Sequence, residues 1–209
     1  MSVGEFQFHL LKQPGTIGAT PIGLGFGITL DGDGLTSKDE ADASWLEHRT
    51  KAGAGSAAGL LTRFDVVASG WRPVVEFELR TPADLSALRL WVGLFAVRPD
   101  GLAAPQPGQE LAAFHFEAGV SSAWRAAVGN ATTTEVQALG TGALPPGTVQ
   151  LLKLLLNPGK VLFFVGGALA HTSAIGPSVD RLLGLGVRVT TLAARSKAIE
   201  WRRVSWNVP

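Results

Sequence analysis

Residues 74–80 read VVEFELR, and the order of their side chains decides how the rest of the chain is read. Val75, Phe77 and Leu79 alternate with Glu76, Glu78 and Arg80. Successive side chains of an extended strand point to opposite faces, so this is a half-buried β-strand with one apolar and one charged side. The same period of two continues along the chain. LLTRFDVVA, LRLWVGLFAV, LAAFHFEAG, TEVQALG, VQLLKLLL, KVLFFVGGALAHT, LGVRVTTLA and IEWRRVSW follow one another between residues 60 and 206. RPDG, APQPGQ, PPG, NPG and IGPS separate them as turn clusters. Short strands punctuated this often predict an antiparallel sandwich or barrel. VQLLKLLL is apolar enough for a helix, but its place between PPG and NPGK makes it a strand. Gly166-Gly167 supplies the positive φ of a two-residue hairpin turn.

Upstream, PIGLGFGITL (21–30) puts Ile22, Leu24, Phe26, Ile28 and Leu30 on one face and Gly23, Gly25 and Gly27 on the other. A glycine row in a strand lets a ring or another chain lie close to the backbone. Either an aromatic of the same subunit covers it, or it docks a neighbouring protomer together with Phe6 and Phe8. Residues 1–35 are accordingly expected to form an N-terminal arm or edge strands, and 36–209 a single β-sandwich domain. Ser37 and Glu40 have capping-box spacing, which predicts a short helix running toward Trp45 and Leu46. KAGAGSAAG (51–59) reads as a loop or an irregular edge.

The 209 residues are 46% hydrophobic and 17% charged, enough for a large core. A formal net charge of +1 argues against nucleic-acid binding, which needs clustered positive charge. The absence of cysteine removes disulfides, thiolate metal sites and thiol nucleophiles. MSVGEFQFHLLKQPG has no signal-peptide pattern, and no stretch approaches the roughly 20 apolar residues of a membrane helix.

From FELR onward the ordered set LRLWVGLFAV, AAFHFEAG, SSAWRAAVGNATTTEVQALG, PPGTVQLLKLLLNPGKVLFFVGGALAHT and LGVRVTTLAARSKAIEWRRVSW resembles the concanavalin A-like jelly roll. Legume lectins, laminin-G modules and laminarinase-type glycosidases share that two-sheet sandwich. More narrowly, the order is similar to stand-alone modules of this fold in tailed-phage virion proteins. The resemblance implies an all-β antiparallel sandwich with at most one or two short helices. Where laminin-G-like modules carry Asp or Asn in the hairpin turn, this chain has Gly166 and Gly167, which puts a calcium or sugar site there in doubt.

Laminarinase-type glycosidases carry two Glu and an intervening Asp on one strand face. Their chemistry places nucleophile and acid/base about 5–5.5 Å apart. Glu76 and Glu78 share a face, but Arg80 stands where a third carboxylate would complete the set, and a cation there opposes the protonated acid. Charge pairing is the reading preferred for VVEFELR. Asp31, Asp33, Asp39 and Asp42 echo a calcium loop, but Leu35 and Thr36 break it. His9, His48, His115 and His171 lack metal-ligand spacing. No G-x-S-x-G occurs. The expectation is therefore no enzyme, no cofactor and no metal.

Trp71 and Trp91 read as core, whereas Trp45 and Trp124 read as partly exposed and able to stack on sugar, with Arg125 beside Trp124. Two functions remain open. One is a virion structural protein of a tailed phage (decoration, head spike or tail component), localised to the virion, homo-oligomeric and bound to capsid or tail subunits. The other is a lectin-like module that recognises host cell-surface glycans.

Overall fold

A computed structural model describes residues 6–8, 28–38, 45–62, 67–96 and 105–207. Its strands are β1 (Phe6–Phe8), β2 (Ile28–Gly32), β3 (Leu35–Lys38), β4 (Leu46–Arg49), β5 (Ala57–Thr62) and β6 (Val67–Ala68). After a single 3₁₀ turn at Ser69–Trp71 come β7 (Val74–Arg80), β8 (Leu88–Phe95), β9 (Leu111–Glu117), β10 (Arg125–Gly129) and β11 (Thr134–Ala138). β12 (Val149–Asn157), β13 (Lys160–Val165), β14 (Ala168–Thr172), β15 (Leu182–Thr191) and β16 (Ala198–Asn207) complete the set. Among the described residues there is no α-helix.

Every pairing is antiparallel, and the strands form two eight-stranded sheets. Sheet A runs β14-β13-β12-β7-β16-β4-β3, with β1 also on β16; sheet B runs β11-β10-β9-β8-β15-β5-β2, with β6 also on β15. Consecutive strands of the chain thus cross repeatedly from one sheet to the other, as in a jelly roll.

The alternation of VVEFELR survives intact. Val75, Phe77 and Leu79 are buried and Glu76, Glu78 and Arg80 half-buried. The inward residues join Leu152, Leu154 and Leu156 of β12 and meet Leu90, Val92 and Leu94 of β8 with Phe114 and Phe116 of β9. This apolar layer between the sheets is the main core. Phe114 lies edge-on to Phe163 of β13 (centroids 5.2 Å apart) and to Trp124 (6.2 Å), so aromatic contacts join strands of both sheets. His48 points into the same layer, where its Nε2 accepts from Trp201 Nε1 at 2.6 Å. Burial pushes the His48 pKa down to about 3.

Sheet B is also buried on its far side. Trp91, Phe95, Leu111, Ala113 and Ala127 form a second apolar cluster there, so β8 and β9 are nearly continuous runs of buried residues. The Gly166-Gly167 hairpin stands as expected, with φ of 58° and 84°. VQLLKLLL is a strand.

The helix predicted after Ser37 falls on residues 39–44, outside the described residues; at its two ends β3 and β4 pair, with Ser37 opposite Glu47. Leu46 and His48 face inward and Glu47 and Arg49 outward. Residues 57–59, expected in a loop or an irregular edge, belong instead to β5, which is paired on both sides by β15 and β2. Gly59 suits that place because a Cβ on it would lie 2.2 Å from the Val187 carbonyl oxygen of β15. The glycine row Gly23, Gly25 and Gly27 lies outside the described residues. Phe6 and Phe8 lie opposite Trp206 and Val204 in the β1–β16 pairing.

Candidate functional site

β7 lies between β12 and β16 in sheet A, so its outward residues have neighbours on both sides. Register decides who they are. Glu76 stands opposite Lys153, whose Nζ is 3.2 Å from Glu76 Oε1. Glu78 accepts from the Arg202 guanidinium of β16. Arg80 is opposite Glu200 and donates to its Oε2 at 2.6 Å. Glu200 in turn faces Glu47 across the β4–β16 pair. Like charges directly opposite repel, and here each meets a guanidinium. Arg49 forks onto Glu47 with bonds of 2.8 and 2.6 Å, while Arg80 holds Glu200. The Arg80 and Arg202 guanidinium carbons lie 4.4 and 5.0 Å from the centroid of Trp45.

Two hollows open on this face, and β7 lines both. The first, about 290 Å³, is lined by Glu76, Glu78, Leu151, Lys153 and Phe164, with Gly167 at its edge. Leu151 is exposed, and the Lys153 ammonium lies 5.7 Å from the Phe164 ring centroid. The second, about 450 Å³, is lined by Glu47, Arg49, Arg80, Asp84, Lys197 and Glu200 among others. Lys197 is buried, with Nζ 2.6 Å from Asp84 Oδ2. That hydrogen bond, followed by those from Ser86, holds the Asp84 carboxyl well below the usual range. From Glu76 to Arg80 the strand advances about 13 Å, so the two hollows lie in succession along the charged face. One end offers apolar surface beside hydrogen-bonding groups; the other is a lattice of fixed charges.

The residues singled out for sugar contact are not brought together. Trp45 does lie on this face, but the arginines cover it and it is 2% exposed. Trp124 is 1% exposed and points into the core between Phe114 and Phe116. Neither indole has a free face, because each is large enough to fill a space between elements and its burial outweighs exposure. Arg125, its chain neighbour, points the other way, to the outer face of sheet B, where it pairs in register with His115. Trp71, expected in the core, is 50% exposed on the 3₁₀ turn. Lys153, Phe164, Glu200 and Glu47 were not singled out from sequence. The outward register of each strand was legible, but not which strands would lie beside β7. Asp33 of the calcium-like stretch is a turn anchor, accepting from Ser56 Oγ at 2.7 Å and from the Ala57 amide at 3.0 Å. Among the described residues no group of three or more His, Asp or Glu could hold a metal.

No protein-family model and no curated protein sequence matches the chain. Solved structures do. The endo-β-1,4-glucuronan lyase of the fungus Trichoderma reesei superposes with a TM-score of 0.66 over 100% of this chain and 96% of that one, at 12% identity. The β-glucanase of Bacillus licheniformis gives 0.65 over 99% of each chain at 10% identity. The Emp47p carbohydrate recognition domain gives 0.64 over 87% of this chain and 88% of that one, at 9% identity. The fold is the concanavalin A-like jelly roll.

One expectation is corrected by these neighbours. Absence of the laminarinase-type carboxylate set argued against an enzyme, yet the similar solved structures are mostly glycoside hydrolases and lyases. A concanavalin A-like jelly roll can carry catalysis, so a missing motif on one strand does not exclude it.

Proposed function

We propose that this protein is a carbohydrate-active jelly roll that holds a polysaccharide along the outer face of sheet A. The carrying observation is the pair of hollows lined by β7, with Leu151 and Phe164 beside Glu76, Glu78 and Lys153. A sugar ring has an apolar face and a rim of hydroxyls, and it is best matched by apolar surface next to fixed polar groups. The ion pairs hold the carboxylates in place as hydroxyl acceptors before a ligand arrives. Fold-level similarity to a glucanase, a glucuronan lyase and a carbohydrate recognition domain supports the same substrate class.

Affinity electrophoresis against neutral β-glucans, polyglucuronate and host-type glycans tests the proposal, with reducing ends and unsaturated products measured in parallel. Retardation by at least one polymer, abolished in Phe164→Ala and Lys153→Ala but kept in Arg181→Ala, is the expected result. No retardation by any polymer would overturn it.

A second reading, a virion subunit that assembles with copies of itself and with capsid or tail proteins, is favoured by one observation. Val149, Leu151 and Leu169 are exposed at 47%, 53% and 54% on the β12–β14 side of the molecule. Light scattering tests it: self-association abolished by Leu151→Lys supports the reading, and a monomer at all concentrations refutes it.

A further inference from the structure

On the opposite side of the molecule, register lines up one row across the outer face of sheet B. Arg125 of β10 lies opposite His115 of β9, His115 opposite Trp91 of β8, and Trp91 opposite Arg188 of β15. One position along, Arg89 forks onto Glu117 with bonds of 2.9 and 3.1 Å.

At its centre His115 is 0% exposed, its imidazole stacked on Trp91 with centroids 4.1 Å apart. Neither ring nitrogen has a hydrogen-bond partner. The nearest carboxylate oxygen, Glu117 Oε2, is 3.7 Å from Nε2 and already accepts from Arg89. No carboxylate among the described residues pairs with Arg125. A buried imidazole with both nitrogens idle is expensive, because each polar atom forgoes water without compensation. Burial, then Arg125 and Arg89, hold this imidazole in its neutral form. It therefore offers one N–H donor and one acceptor beside an arginine that no carboxylate of the described residues pairs with.

We propose that Arg125 and His115 form a binding site for a carboxylate. A planar carboxylate takes two parallel bonds from a guanidinium, and the neutral imidazole N–H supplies a further donor. Exposure falls from Ala138 on the edge strand β11, through half-buried Arg125, to fully buried His115, so the site is reached from the β11 edge. The carboxylate comes either from a free organic acid or from the uronate of an acidic sugar. The site stands on the opposite face from the two hollows of sheet A and does not depend on them.

The test is imidazole ¹⁵N NMR of the full chain, with His115 signals assigned by their loss in His115→Gln. Acetate, glucuronate, glucose and inorganic phosphate are each titrated to about 50 mM. The expected result is that acetate, glucuronate or both shift the His115 nitrogens while glucose does not. Response to acetate would identify a site for free acids, and response to glucuronate alone a uronate subsite. Arg125→Gln and Arg125→Lys should each weaken the response about tenfold, the lysine variant because it keeps the charge but loses the fork. Thermal unfolding of the two variants confirms that they are folded. No shift with either carboxylate, an equal shift in both arginine variants, or a shift with phosphate alone would overturn the site.

Discussion

Replacing Trp124 separates two roles for this residue, sugar platform and core element. The indole is 1% exposed and lies edge-on to Phe114 and Phe116, with centroids 6.2 and 6.4 Å away. Trp124→Ala removes a fully buried aromatic and leaves a cavity, a change that costs about 3–5 kcal/mol. A domain of this size loses about 2–4 °C in Tm per kcal/mol, so the variant should melt roughly 6–20 °C lower. Trp124→Phe is the informative control. The indole Nε1 is buried without a hydrogen-bond partner, and an unsatisfied donor costs about 1–3 kcal/mol. Phenylalanine removes that penalty and gives up burial energy of similar size, so it should lie within about 1 kcal/mol of wild type. Thermal and urea unfolding followed by circular dichroism read both variants. Polysaccharide retardation, measured where both are folded, should be unchanged. The reasoning fails if Trp124→Phe falls as far as Trp124→Ala. It fails equally if the alanine variant keeps its Tm and loses retardation.

Further outcomes follow from the same geometry. His48 is neutral in the folded state with its pKa near 3, against about 6.5 unfolded, so the unfolded chain binds the extra proton. Stability should be full above the unfolded value and fall by about 1.4 kcal/mol per pH unit between pH 6.5 and 3, with His115 adding to the slope. Urea midpoints that stay flat from pH 7 to 5 would refute this. Gly93→Ala would put a Cβ 2.4 Å from the Ala112 carbonyl oxygen and 2.5 Å from the Ala113 Cα; backbone cannot yield cheaply, and a loss of about 1–3 kcal/mol or more should appear in chemical unfolding. Arg80→Ala removes an ion pair at a side chain 30% exposed and half the cover of Trp45. It should cost only about 1 kcal/mol yet raise acrylamide quenching of tryptophan fluorescence, most strongly when combined with Arg202→Ala. Asp84→Asn strips the counter-charge from buried Lys197 and should lower Tm, an effect that vanishes in Lys197→Met.

How much was legible varied with the range of the interaction. The strands at VVEFELR, LRLWVGLF and LAAFHFE were readable because alternation is a property of neighbouring residues. Residues 57–59 were not, because the small side chains of KAGAGSAAG carry no local strand signal and are placed in β5 by pairings with β15 and β2 decided at long range. Trp45 and Trp124 were misread for the same reason. Both stand in polar surroundings in the chain, but Arg80 and Arg202 cover the first and Phe114 and Phe116 enclose the second, all brought there by folding. Glu76 and Glu78 were rightly read as charge-paired, though their partners, Lys153 and Arg202, lie on two other strands.

By itself the sequence determined that this chain is an antiparallel sandwich or barrel, narrowed to two layers by its resemblance to the concanavalin A-like jelly roll, and which side chains of most strands face inward. Period-two burial acts strand by strand, so it fixes the facing of side chains without fixing the order of strands. Only the tertiary structure decided which strands are neighbours, and therefore that β7 lines two hollows on sheet A while His115 and Arg125 share a row on sheet B. Register joins residues that are distant in the chain through backbone hydrogen bonds indifferent to side-chain identity, so no local pattern records it.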